Sequence, residues 1–240
     1  MARPRGARNA DYDEQRLALA RKVRDRVVAA DGLRASLREL AAAADSSVAT
    51  LKHYFGDREG VLRAVMESHH IDAAPYLAMA STPLEGADVR ASLLDYLKRL
   101  KQAWFKYGVG VIQSSALAGG LSEAGVGPSY VNHVLEPLLG TAEARLKRHV
   151  ELKDLPPLNE RFAALQFLSP VVLVLLHQDS LSGATCRPLD LDAFFEAHLD
   201  GFLRAYPPTG RWCPCRRKSC SSRQRRRRAK PSRRRSGTAA

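Results

Sequence analysis

The sequence predicts an all-α protein in two parts. A small N-terminal unit of three helices, containing a helix-turn-helix, precedes a larger C-terminal helical unit. Three observations carry that expectation. Apolar residues recur at three- and four-residue steps in the long segments, the spacing that lines one face of a helix. Clusters of Gly, Pro, Asp and Ser separate those segments. Residues 32–55 hold two short apolar stripes on either side of a bend, each too short to be stable without a third helix against it.

Residues 1–10, with Arg3, Arg5 and Arg8, read as a basic flexible arm. From Tyr12 to Ala30 a first helix places Leu17, Ala20, Val23 and Val27 inward and Arg21, Lys22, Arg24 and Arg26 mostly outward, and Asp31-Gly32 stops it. Ser36 followed by Glu39 fits a capping box, in which each side chain satisfies the other residue's backbone N–H. Leu37, Leu40, Ala41 and Ala44 then form one stripe. Asp45-Ser46-Ser47 breaks it with residues that turn and cap. Val48, Leu51 and Phe55 form the second stripe, leaving Ala49, Thr50, Lys52, His53 and Tyr54 largely on other faces. A helix of about two turns held this way presents a small polar face of the size that enters a DNA major groove.

The run SLRELAAAADSSVATLKHYFGDREGVLRAV resembles the DNA-binding signature of TetR-family transcriptional regulators, with Thr50, Leu51, Phe55 and Arg58 in register. Lys52 stands where the family usually has a phosphate-contacting Tyr, Tyr54 where it often has His, and Asp45 where the turn usually has Gly. Lys meets a phosphate as a point charge, Tyr54 supplies a hydroxyl, and Asp tolerates a left-handed backbone better than most residues. The resemblance implies that Ser36 and Arg58 contact phosphates. Ser47, Ala49, Thr50, Lys52, His53 and Tyr54 would then form the groove face, with Thr50 and His53 reading bases. It further implies a homodimer on a palindromic double-stranded operator, its two recognition helices about 34–36 Å apart, and a repressor released by a small-molecule effector. The arm at 1–10 is then either a disordered terminus or a contact to the backbone or minor groove. The resulting division is 1–10 arm, 11–57 helix-turn-helix DNA-binding domain, 58–206 helical ligand-binding and dimerisation domain, and 207–240 an Arg-rich disordered tail.

Beyond the bend, Asp57 can cap a fourth helix whose buried face holds Val61, Leu62, Val65 and Met66. In the resembling family this helix links the two parts, and its movement is the switch. Ser81–Asp88 reads as a loop, 89–107 as a long helix with Leu93, Leu94, Leu97, Leu100 and Trp104 inward, and 112–121 as a shorter one. Residues 128–152 read as a helix bent at Pro137 or Gly140. Residues 159–181 form an apolar helix kinked at Pro170, and 190–206 a last helix with a wide aromatic stripe. Apolar surface beyond what one small core consumes points to a second copy. The expected dimer face is Phe162, Leu165, Val172, Leu176, Phe194, Phe195, His198 and Phe202.

Composition bounds the rest. The net charge of +13 resembles a nucleic-acid signature until it is located: 13 of the 38 Lys and Arg, and none of the 25 acidic groups, fall in 207–240, so the body is balanced. A small positive excess within the body lies in residues 1–60. The tail either adds sequence-independent grip on nucleic acid or reflects an altered reading frame. The N-terminus has no apolar core of a signal peptide, and the 162–176 run falls short of the ~20 residues of a spanning helix, so a cytoplasmic protein with no membrane partner is expected. Four cysteines make no disulfide framework, and no metal or cofactor is expected.

No phosphate loop, nucleophile elbow or zinc-protease motif is present, so no enzyme is expected. His69 and His70 are adjacent, point about 100° apart on a helix and make no ligand pair. Met66, Trp104, Phe105, Tyr107, Tyr130, His133, Phe162 and Phe167 are the expected walls of a pocket for a largely apolar effector; plain helical core accounts for the same residues. The alternatives to a regulator are a helical small-molecule-binding protein or enzyme with an incidental helix-turn-helix, and a nucleic-acid-coating protein driven by its tail.

Overall fold

The computed structural model describes residues 10–29 and 32–209. Residues 1–9, Ala30, Asp31, and the tail from 210 onward with Cys213, Cys215 and Cys220 lie outside the described residues. Among the described residues the secondary structure is helical throughout, as expected.

Helix α1 (Ala10–Val28) carries Asp11 and Asp13 in its first turn and Arg26 in its last, the charge order a helix dipole favours. It buries Ala20, Val23 and Val27. Gly32 closes the following turn: a Cβ there would lie 2.0 Å from the Val27 carbonyl oxygen, so no larger residue fits. Helix α2 (Leu37–Ala43) begins with the full capping box, Ser36 N–H donating to Glu39 Oε2 (2.7 Å) and Glu39 N–H to Ser36 Oγ (3.3 Å). The bend passes through Asp45 at φ 50°, the left-handed conformation anticipated for that residue. Ser47 then caps α3 (Val48–Phe55) by accepting from Thr50 N–H at 3.0 Å.

Asp57 caps α4 (Arg58–Ser81), whose length of 24 residues makes it the spine of the molecule, and it continues through Pro75. Its first half buries Val61, Leu62, Ala64, Val65 and Met66 together with α1–α3. Helix α5 (Val89–Lys106) starts from an Asp88 cap. Helix α6 (Val109–Ser122) follows, and α7 (Gly127–Tyr130) leads through a π-turn, Val131–Leu135, into α8 (Glu136–Glu151). The bend expected at Pro137 or Gly140 takes the form of this π-turn. Pro137 has no N–H to return to the His133 carbonyl, and the turn widens just before it. Helix α9 (Glu160–Gln178) runs unbroken past Pro170, α10 (Gly183–Cys186) is a single turn, and α11 (Leu191–Ala205) ends the described chain apart from a short extension.

Two apolar cores result. One unites α1–α4 with Ala116 of α6, Val126 just before α7, Tyr130 of α7, and Val134. The other gathers α5, α8, α9 and α11 around Trp104, Phe167 and Phe195. Helix α4 belongs to the first core over its N-terminal half and reaches past it over its C-terminal half. Arg145 of α8 is 1 % exposed and ties the end of α4 to α5: its Nε donates to Ala80 O (2.9 Å), Nη2 to Thr82 O (2.7 Å) and Nη1 to Ser92 O (2.7 Å). Burial lowers its pKa, while Asp95 at 3.4 Å acts to raise it, and its guanidinium lies over the Tyr96 ring at 5.3 Å.

Helix α9 corrects one expectation. By length and composition it is long and apolar enough to cross a membrane, with a mean hydropathy of 1.3. Ala163, Ala164, Phe167, Leu168, Val171, Val174 and Leu175 give it one fully buried face in the second core, while Phe162 and Leu173 on the same helix stay exposed.

Candidate nucleic-acid interface and ligand cavity

Helix α3 is short and is anchored by Leu51 and Phe55, buried in the first core. That anchoring fixes what it exposes. Ala49, Lys52 and His53 stand outward at helical spacing, with Ser47 exposed at the N-terminus and Thr50 half-buried beside it, its Oγ1 2.8 Å from Ser47 Oγ. Tyr54 lies at the edge of this face. Its hydroxyl donates to Gln15 Oε1 and its ring packs 4.8 Å from Tyr12 of α1, so α1 holds it in place. His53 meets Tyr12 edge-on at 5.7 Å. Ser36 is exposed and already accepts the α2 cap bond.

Arg58 departs from the expected phosphate contact. Its Nε donates to Ala35 O (2.9 Å) and its Nη1 to Glu123 (2.6 Å), tying the start of α4 to the α2 cap and to the end of α6. A side chain tied into the protein on two sides braces the unit and is not presented to a groove. Arg34 and Arg38, which the pattern did not single out, stand exposed two residues to either side of Ser36.

The C-terminal half of α4, with α5 and the π-turn, encloses a cavity of about 520 Å³. Tyr107 and His133 line it, as anticipated. The other expected wall residues do not. Met66 is spent in the first core. Trp104 faces away to donate its indole N–H to Asp179 (2.9 Å), packed so closely on Gly110 that a Cβ there would sit 2.3 Å from the indole nitrogen. Phe167 is fully buried in the second core, whereas Phe105 and Phe162 are exposed at the surface. Tyr130 stands one step behind the wall, accepting from Gln113, which does line the cavity (2.8 Å).

What periodicity missed is the polar side of the cavity: Arg24 of α1 and His69, His70 and Asp72 of α4. Asp72 takes Arg21 on Oδ1 and Arg24 on Oδ2, both at 2.5 Å, and these hydrogen bonds hold its pKa below the usual carboxylate range. Burial, reinforced by the nearby Arg24 charge, pushes His69 down to about 4, so it is neutral near pH 7. Tyr96 closes another part of the wall, its hydroxyl 2.8 Å from Thr141 and its pKa raised by burial to about 12.

The dimer face expected on α9 and α11 divides in two. Phe195 and Phe202 are consumed within the protomer, at 0 % and 6 % exposure, and cannot form a contact surface themselves. Leu165, Val172, Leu176 and Phe194 are half-buried, while Phe162 and Leu173 stand 62 % and 65 % exposed. His198 stacks on Phe194 (5.9 Å) and its Nε2 donates to the Phe167 carbonyl (2.8 Å), which fixes its tautomer.

No family model matches the sequence, and no curated protein is similar enough in sequence to match. Solved structures do match. A protein described as a TetR-family transcriptional regulator from Mesorhizobium loti superposes with a TM-score of 0.65 at 14 % identity, over 82 % of this chain and 99 % of that one. GusR from Salmonella enterica gives 0.60 at 20 % identity, over 80 % and 96 %. SmeT, the repressor of the Stenotrophomonas maltophilia multidrug efflux pump SmeDEF, gives 0.55 at 20 % identity, over 85 % and 96 %. The fold is the TetR-family fold. In this TetR-type arrangement the exposed face of α3 and the α4–α5 cavity lie on opposite halves of one continuous helix, α4, or against its two ends.

Proposed function

We propose that the chain is a ligand-responsive, DNA-binding transcriptional regulator of the TetR family. In this reading it is a cytoplasmic repressor that binds a palindromic operator as a homodimer and is released by a small, largely apolar effector. The observation that carries the reading is the α3 face: Ser47, Ala49, Lys52 and His53 exposed on a two-turn helix whose opposite side is locked into the core. A DNA contact needs such rigidity, because side chains that must be ordered on binding lose entropy at the interface.

Lys52 supplies a charge for a phosphate, and His53, with Thr50 beside it, is placed to meet base edges. Tyr54, held by Gln15, sets the edge of the footprint. Apolar residues exposed on α9, Phe162 and Leu173, support pairing with a second copy, with Phe194 and His198 of α11 at the flank. The cavity supports the effector, and the solved relatives support the overall class. Catalysis has no part in this reading.

The test is footprinting followed by gel shifts on the recovered site. Lys52→Ala weakens binding across sequences and reduces the slope of log K against log salt by about 1. His53→Ala changes which bases are preferred at one position of each half-site. If both variants bind the operator like the parent protein, α3 is not the reading helix. Small-molecule binding with no protected DNA anywhere in the source genome would favour a carrier or enzyme in its place.

A further inference from the structure

His53 is exposed on α3, and among the described residues nothing hydrogen-bonds its imidazole. Two rings nonetheless hold its plane. Tyr12 of α1 lies 5.7 Å away with the planes 81° apart, and Tyr54 lies 5.0 Å away at 79°. The two tyrosines pack on each other at 4.8 Å. Both are tied down at their far ends. The Tyr54 hydroxyl donates to Gln15 Oε1, on α1 one turn beyond Tyr12. The Tyr12 hydroxyl donates to the His53 carbonyl at 3.4 Å, one of the last four carbonyls of α3, which a helix leaves without an internal partner.

We propose that Tyr12 of α1 is a positioning residue for base reading: it holds the His53 imidazole in the orientation that meets a base edge, and so sets the protein's preference at that base. The inference rests on α3 as the reading helix and adds a residue outside it. Direction is what makes a hydrogen bond selective, because the bond weakens steeply as donor and acceptor leave the line. An exposed imidazole free to swivel follows a displaced acceptor and separates one base from another poorly, and it loses rotamer freedom when it is finally ordered. Edge-on contacts from two rings narrow that swivel and leave both ring nitrogens open for a base. The ring matters more than the bulk. A leucine at position 12 would fill the same space and favour no particular plane for His53. Tyr54 is the second jaw, and its bond to Gln15 keeps that jaw on α1 as well.

The test uses the full chain and its Tyr12→Leu, Tyr12→Phe and His53→Ala variants, each checked for a native circular dichroism spectrum. Each is put through selection from a library of random-sequence duplexes and then gel shifts on single-base variants of the selected site. His53→Ala is expected to flatten the preference at one position of each half-site by about tenfold. Tyr12→Leu flattens the same position by about threefold or more, Tyr12→Phe keeps the preference, and adding Tyr12→Leu to His53→Ala changes nothing further there. A merely structural tyrosine gives a different result: Tyr12→Leu then weakens every duplex alike and leaves the base preferences intact, which overturns the proposal. Loss of the preference in Tyr12→Phe as well makes the hydroxyl the reader and overturns it too. Proton NMR of the free protein supplies a readout that needs no DNA. The His53 ring resonances, shifted by the two neighbouring ring currents, should move in Tyr12→Leu and stay close to their places in Tyr12→Phe; unmoved resonances in Tyr12→Leu overturn the clamp. A parent protein that selects no duplex sequence overturns α3 as a reading helix, and the role of Tyr12 with it, whereas a selected site indifferent to Tyr12→Leu overturns the role of Tyr12 alone.

Discussion

Arg145→Met removes the charge that gathers three backbone carbonyls and keeps most of the apolar volume. In the native protein Ala80 O, Thr82 O and Ser92 O each receive one of its N–H groups at 2.7–2.9 Å, and the side chain is 1 % exposed. A thioether donates to none of them. Each buried carbonyl left without a donor costs about 1–3 kcal/mol, and partial entry of water at the Thr82 loop offsets part of that. Losing the cation–π contact with Tyr96 adds about 1 kcal/mol. Removing one partner from a buried charged network typically costs ~3–5 kcal/mol, which meets only the lower part of the roughly 4–10 kcal/mol that three carbonyls and the ring contact would sum to without water. Urea unfolding followed by circular dichroism is therefore expected to show a loss of about 3–5 kcal/mol with an unchanged slope. Arg145→Lys, which can reach one or two of the carbonyls, should recover part of it. A loss under about 1 kcal/mol, or full recovery by lysine, would refute the view that this guanidinium fastens the end of α4 to α5 and α8.

Three further outcomes are expected. His69 has a folded pKa near 4 against 6.5 for the free side chain, so the unfolded chain binds its proton first; its contribution is intact above pH 6.5 and is lost as pH falls from 6.5 towards 4. Discounted for partial exposure that loss is roughly 2 kcal/mol, and His69→Asn should flatten this window of the stability profile. Ser36→Ala removes the oxygen that caps α2 and should lower stability by about 1 kcal/mol, seen as a lower urea midpoint. Leu173→Lys, at a position already 65 % exposed, should leave the melting temperature of the protomer nearly unchanged while shifting sedimentation from dimer to monomer and abolishing operator binding.

The N-terminal unit was legible because its signals are local. Ser36 and Glu39 are three residues apart, and Asp45 at the bend and Ser47 at the cap each act on their own or a neighbouring backbone. The cavity was not, because a wall is made by whichever helix lies opposite. Trp104 and Met66 have the right chemistry for a pocket, yet one is turned onto Asp179 and Gly110 and the other faces the first core. His69 and His70 diverge by about 100° as adjacent helical residues and make no ligand pair, yet both line the cavity. The dimer face shows the same difficulty, since a periodic aromatic stripe on α11 cannot reveal that Phe195 and Phe202 face inward while Phe194 does not.

Helix α4 is where a cavity occupant and the α3 face meet mechanically, and magnitudes decide how. Its links to the N-terminal unit are of two kinds. Ion pairs to α1, Arg16–Glu67, Arg21–Asp72 and Arg24–Asp72, are partly solvated and individually weak. The face from Val61 to Met66 is fully buried against α1–α3, and each such side chain contributes about 1.5–3 kcal/mol when removed from water. An effector that alters DNA affinity needs only ~1–3 kcal/mol of coupling. That is too little to unpack the buried face and enough to break or remake the Arg24–Asp72 pair at the cavity's edge. In the proposed regulator the N-terminal half of α4 would then keep its packing on α1–α3, and the adjustment would fall at Ser68–Asp72, the residues that Arg24 bonds at the cavity's edge. Hydrogen exchange resolves the difference: ligand should change protection around Ser68–Asp72 and leave Val61–Met66 as it was, whereas a switch that worked by loosening the core would expose both.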